Sequence, residues 1–176
     1  RYLSVPCPQQ TTLSRLDSEL LLPLQNIKVI EVAEGVAGPH CGRMLAALGA
    51  DVVKIERPPD GDWSRGMAPF VTGSRGRKAS ALYLYNNMGK KSVLSDWRTE
   101  EGMETFRRLV SNADVLIEDW TRAVRDDLRL PLDRFTSANP GLIEVCVTPF
   151  GLSGPYSRWK STPIVQLALG GYLYLT

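Results

Sequence analysis

Residues 25–56 read as a strand, a glycine-bearing turn, a helix and a second strand in immediate succession, and a chain built this way is committed to a parallel sheet. Ile27 to Ala33 is a short run rich in β-branched residues, of the length of a strand buried on both faces. The turn Glu34-Gly35-Val36-Ala37-Gly38-Pro39 follows, with Pro39 where a first helical turn tolerates a residue lacking an N–H. Met44, Leu45 and Leu48 recur at helical spacing, Gly49 suits the residue just past a helix end, and Asp51 to Glu56 supplies the second strand. Free amides and the positive end of the helix dipole are expected to converge at residues 37 to 41 and to favour an anion there.

The rest of the chain repeats the alternation. Pro58-Pro59-Asp60-Gly61-Asp62 is turn chemistry, and Gly66 to Lys78 is expected to be a surface loop. Ala79 to Met88 reads as a short helix and Ser92 to Ser95 as a third strand. Thr99 caps a helix that carries Glu100 and Glu101 in its first turn and Met103, Phe106, Leu109 and Val110 on one face. Asp114 to Glu118 is a fourth strand, Leu130 to Ala138 a short helical stretch and Leu142 to Thr148 a fifth strand. The expected fold is α/β, a Rossmann-like doubly wound and mostly parallel sheet with ligands at the carboxyl ends of its strands. Residues 1–24 are expected to be a linker or extension and residues 25–176 the N-terminal part of that domain. The opening arginine and the stop at Thr176 after an apolar run suggest a fragment truncated before a smaller domain.

A net charge of +2 with 23% charged residues lacks the concentrated basic stripe of a nucleic-acid binder. No apolar run is long enough to cross a bilayer and no signal peptide is present, so the expected home is the cytoplasm. Cys7, Cys41 and Cys146 fall in a tail, a helix and a strand, which suits reduced thiols better than a disulfide frame or a metal site. A single histidine, His40, excludes multi-histidine metal centres and leaves no base for a serine triad elsewhere. The glycines at 35, 38 and 42 miss the G-x-G-x-x-G dinucleotide fingerprint, although Glu56 follows at the right distance.

Chemistry is therefore sought at the strand ends. Arg57 and Arg98 are placed for a guanidinium to meet a phosphate, with a surface salt bridge as the plainer reading of each. Trp120 offers a flat face to an adenine ring, or else belongs to the core. The basic run Arg75-Gly76-Arg77-Lys78 and the pair Lys90-Lys91 either steer a polyanion or are solvated loop charge.

The order Val32-Ala33-Glu34-Gly35-Val36-Ala37-Gly38-Pro39, then Leu45 to Pro58, then Gly61-Asp62 and Arg65-Gly66, closely resembles the start of class III CoA-transferases, the CaiB/BaiF type. Asn87 to Ser92, Ala113 to Glu118, Asn139-Pro140 and Phe150 to Tyr156 extend the resemblance over residues 24–176. It implies a CoA-binding Rossmann-like domain, an interlocked homodimer and a reaction in which an aspartate attacks an acyl-CoA thioester. Acyl-CoA and a carboxylic acid are the implied partners, with no metal. The cofactor-binding residues it implies, with the strand ends, are Gly35, Val36, Ala37, Arg57, Ser95, Arg98, Asp119, Trp120 and Thr148. The nucleophilic aspartate would lie just beyond Thr176, so this chain alone is expected to be inactive.

The sequence also departs from the family. Val36 stands where oxalate-type members have glutamine, which argues against a small dicarboxylate, and Thr162 stands where many members have aspartate. Thr121-Arg122-Ala123-Val124 and Asp127 replace part of a phosphate clamp. Two other readings stay open: a decayed CoA-binding or structural domain of a longer tandem protein, and a dinucleotide-dependent oxidoreductase.

Overall fold

The structure, a computed structural model, describes residues 22–73, 76 and 78–175. Most of the expected linker, Cys7, and Arg75 and Arg77 of the basic run lie outside the described residues. Five strands, β1 (Lys28–Glu31), β2 (Asp51–Glu56), β5 (Lys91–Leu94), β6 (Val115–Glu118) and β7 (Ile143–Cys146), form one sheet in the order β5-β2-β1-β6-β7. Every pairing in it is parallel, with Ile30 opposite both Val53 and Leu116. This is the doubly wound arrangement, and its direction of growth reverses between β1 and β6.

The expected helix after β1 is α1 (Ala37–Ala47), and Gly49 follows it at φ +102°, the left-handed conformation that ends helices. Gly38 lets α1 approach β1, since a methyl group there would run into Ala33 Cβ. The helix with the Thr99 cap is α3 (Glu100–Val110), and Thr99 Oγ1 accepts the Gly102 N–H at 3.1 Å.

The β1 side chains alternate between two apolar layers. Ile30 and Val32 join Met103 and Phe106 of α3, Trp97 and Trp120 on one face, while Val29 and Ala33 meet Val52, Ile117 and the apolar side of α1 on the other. Burial of both faces explains why β1 reads as a near-continuous apolar run.

Three regions differ from expectation. Residues 66–78 are not a plain loop: β3 (Phe70–Thr72) pairs antiparallel with β4 (Lys78–Ser80). The helix expected from Ala79 begins only at α2 (Ala81–Asn86), because Ser80 is the last residue of that hairpin and caps the helix through Tyr83 N–H. Leu130 to Ala138 is helical only at α5 (Arg134–Ala138), and α4 (Arg122–Asp127) precedes it. Thr121 caps α4 and accounts for it locally. The chain then folds into α6 (Pro163–Leu169) and α7 (Tyr172–Leu175), where Ile164, Leu169, Tyr172 and Leu175 remain exposed.

Candidate functional site

In sheet order, the residues after the five strands run Ser95–Arg98, Arg57, Glu34–Ala37, Asp119 and Thr148. All sit on one rim because all five strands are parallel. The Arg57 and Arg98 guanidinium carbons lie 5.8 and 5.2 Å from the centre of the same Trp97 ring, so the two cations share one indole. Arg57 is also close enough to Glu34 to stabilise its charge, which puts it on the same side of the molecule as the Gly35 turn. Neither arginine has a carboxylate partner within ion-pair distance among the described residues, so the surface salt bridge is not their state. Ser95 continues the ladder, its N–H donating to Glu56 O at 2.9 Å.

The turn itself is held from below. Gly35 adopts φ +80° and its N–H donates to both oxygens of Asp62, at 3.0 and 3.1 Å. Asp62 also accepts from Ser64 N–H and Oγ–H and pairs with Lys54 Nζ at 2.9 Å. Lys54 further donates to Glu31 at 3.0 Å and to Ala33 O at 2.6 Å, and Lys90 donates to both Glu31 oxygens and to Pro39 O. Two ammonium groups and two carboxylates thus lie buried in mutual neutralisation beneath the turn. Burial opposes the Lys54 charge, but Glu31 and Asp62 outweigh it and raise its pKa. For Lys90 burial prevails over the pull of Glu31, reinforced by the neighbouring Lys54 charge, and its pKa falls.

With the Gly35 amide committed to Asp62 and His40 N–H bonded to Val36 O at 2.8 Å, the amides without a partner among the described residues include those of Val36, Ala37 and Gly38. The anion-facing window therefore begins earlier than the expected 37 to 41. Val36 and Ala37 are exposed, while Gly35 is buried under the Trp63 indole, into which a methyl group at Gly35 would project.

Beyond this turn, at the reversal point between β1 and β6, a cleft of about 800 Å³ opens between Glu34, Ala37 and Gly38 on one side and Asp119 and Thr148 on the other. Asp119 Oδ2 accepts the Glu34 N–H at 2.9 Å and ties the two strand ends together. Burial, reinforced by Glu34 and Glu118, pushes the Asp119 carboxyl up to about 6 against the pull of the Glu34 N–H and Lys54. Burial also raises Glu34, with Asp62 as the next contributor. The Thr148 hydroxyl is buried in the wall of the cleft without a hydrogen-bond partner among the described residues.

Two sequence expectations are corrected here. Trp120 is only 3% exposed and packs against Trp97, Phe106 and Phe135 with centroids 5.0 to 6.3 Å away, so it presents no free face to an adenine. Lys90 neither steers a ligand nor sits in solvent, being consumed by Glu31, while Lys91 pairs with Asp51 at 2.7 Å. Sequence reasoning missed Asp62 and Trp63 as parts of the site; Asp62 carried a signal in Gly61-Asp62, which reads as turn chemistry when taken alone. It also missed Arg125, buried between Glu118 and Glu144. That guanidinium donates to Glu118, Glu144 and Cys146, so the three acidic or thiol groups that lie together there share one cationic partner.

The profile of CoA-transferase family III matches residues 24–176. The chain is 40% identical over 156 residues to a succinate–glutarate CoA-transferase of Agrobacterium fabrum, covering 88% of this chain and 39% of that protein. It is 38% identical over 141 residues to the BbsE subunit of a succinyl-CoA:(R)-benzylsuccinate CoA-transferase of Thauera aromatica, covering 80% of this chain and 34% of that subunit. Among solved structures, a CaiB/BaiF family protein of Brucella suis superimposes with a TM-score of 0.77 at 40% identity, over 85% of this chain and 39% of that one. The chain thus spans about two-fifths of the length of the relatives it matches.

Proposed function

The chain belongs to CoA-transferase family III, and on that premise we propose that its strand-end rim binds an acyl-CoA as part of a protein that moves CoA between carboxylic acids. The observation that carries this reading is the convergence of Arg57 and Arg98 on Trp97, on the same rim as the Gly35 turn. Two unpaired guanidiniums suit the phosphates of the nucleotide end. The exposed Val36 and Ala37 backbone suits the narrow pantetheine arm, and the cleft between Glu34 and Asp119 suits the acyl end. Gly35, Ser95 and Trp120 serve through backbone and packing, by supporting these contacts.

Chemically, a carboxylate outside residues 1–176 attacks the thioester carbonyl and expels CoA as thiolate, giving a mixed anhydride. The thiolate then attacks the enzyme's side of the anhydride and releases the first acid, leaving an enzyme-bound thioester for the acceptor acid to displace in the same two steps. The residues described here hold the CoA and keep its thiolate near. Because the relatives' names include succinate, glutarate and benzylsuccinate, we take the acids to be dicarboxylic, and the expectation drawn from Val36 against them is set aside. The protein is proposed to act in the cytoplasm as a dimer, with residues 25–176 forming the CoA-binding part.

The test is calorimetric titration with CoA and with 3′-dephospho-CoA. Arg57→Ala is expected to weaken CoA at least tenfold and dephospho-CoA less, if Arg57 holds the 3′-phosphate. Equal losses reassign it to the diphosphate, and unchanged binding of both removes the rim from the CoA site.

A further inference from the structure

The cleft at the sheet's reversal point receives two carboxyl groups, Glu34 from beyond the end of β1 and Asp119 from just after β6, and no lysine or arginine lines it among the described residues. The charged groups facing Asp119 are Glu34, Glu118 from its own strand and Lys54 from β2, and Lys54 already lies between Glu31 and Asp62. Like charges brought together away from water favour retention of a proton by one of them. Asp119 is the member whose position is fixed: Oδ2 accepts the Glu34 N–H, while Oδ1 has no partner among the described residues. A carboxyl anchored at one oxygen and open at the other presents a defined O–H donor when protonated and a repelling charge when not.

Resting on the CoA-transferase reading, we propose that Asp119 contacts the ligand's acyl end, its protonated Oδ1 donating a hydrogen bond to an acyl oxygen, so that occupancy of the cleft is linked to uptake of one proton. The acyl oxygen belongs either to the thioester carbonyl of the acyl-CoA or to a carboxylate of the acid, since both accept and neither donates at neutral pH. The bare thiol of CoA offers no such acceptor and binds without the proton. A purely structural Asp119, one that only ties Glu34 to β6, does not produce this distinction.

The experiment is calorimetric titration of the protein with acetyl-CoA, CoA and succinate between pH 5.5 and 8. Acetyl-CoA or succinate is expected to lose affinity by about tenfold per pH unit above the Asp119 titration, while CoA does not. In Asp119→Asn, whose amide keeps both an acceptor for Glu34 and a donor for the ligand, the slope is expected to vanish with affinity at pH 5.5 retained. A slope confined to acetyl-CoA identifies the carbonyl, and one confined to succinate identifies the carboxylate. A flat profile for both, a slope that persists in Asp119→Asn, or the same slope for CoA overturns the proposal while leaving the CoA site intact. Failure of CoA itself to bind at any pH overturns the underlying reading and this proposal with it.

Discussion

Asp62 grips the amide of Gly35 with both carboxylate oxygens, at 3.0 and 3.1 Å, although 27 residues separate them. The same carboxylate neutralises Lys54 at 2.9 Å, so one side chain both fixes the backbone of the candidate CoA-binding turn and completes the buried charge network under it. The turn's conformation is therefore set by groups that never reach the ligand. Its glycine is required twice over, by φ +80° and by the indole of Trp63 lying where a side chain would begin.

Asp62→Ala removes the Gly35 acceptor and leaves Lys54 with Glu31 as its one remaining carboxylate. Loss of one partner from a buried ion pair typically costs about 3–5 kcal/mol. Urea denaturation is expected to show a drop of that order with an unchanged m value, and Asp62→Asn, which keeps an acceptor for the amide, should lose less.

Gly42 of α1 faces the same network from above. A methyl group there would collide with Glu31 Oε2 and press on the Lys90 side chain, whose Cε lies 3.3 Å from the added carbon. Overpacking of a rigid site costs about 1–3 kcal/mol, and here the displaced group is a paired buried carboxylate. Gly42→Ala is expected to lower thermal stability despite alanine's better helix propensity, whereas the same change at the open Gly66 should be close to neutral.

The contrast between those glycines also marks what a sequence reading can see. The β1-α1-β2 unit was legible because its signals are local: Gly49 follows the last helical residue, Thr99 caps its own helix, and β-branched runs match buried strands. The strand-end rim followed from parallel topology, which is why Arg57 and Arg98 could be placed on it from the sequence, while Asp119 was named through the family resemblance. The buried charges were hidden because each is explained by a distant partner: Lys90 by Glu31, 59 residues away, and Arg125 by Glu144 on the next strand. Trp120, left open between a ligand platform and the core, needed the opposite kind of information. Its position next to a strand end is right for a ligand platform, but its ring turns into the layer made by Phe106 and Phe135, and only packing reveals that.

Glu56 should dominate the acid limb of the stability curve. Burial raises its pKa, but the hydrogen bonds from Arg65, the Asp62 N–H and Ser92 overcome this and hold it at about 2, below its ordinary 4.5. A carboxylate lowered in the folded state contributes stability that is present above the unfolded value and is lost as pH falls from 4.5 towards 2. The amount is about 3 kcal/mol at one pKa unit per 1.4 kcal/mol. Glu56→Gln is expected to be less stable than wild type at pH 7 and to show a flatter loss between those pH values in denaturant titrations followed by circular dichroism.

Asp119 has the opposite sign. Its folded pKa, about 6, lies above the ordinary 3.8, so the folded state favours the protonated carboxyl. The resulting advantage is complete below pH 3.8 and is lost as pH rises through 6, leaving the ionised protein about 2–3 kcal/mol less stable than an unperturbed aspartate would leave it. An asparagine at 119 keeps an acceptor for the Glu34 N–H without a charge to desolvate. Asp119→Asn is therefore expected to raise the melting temperature at pH 7.5, and the gain should disappear near pH 4, where the wild-type carboxyl is neutral as well. A gain that is equal at both pH values would mean that Asp119 is ionised throughout, and that the two strand ends at the sheet's reversal point tolerate adjacent negative charges in the absence of ligand.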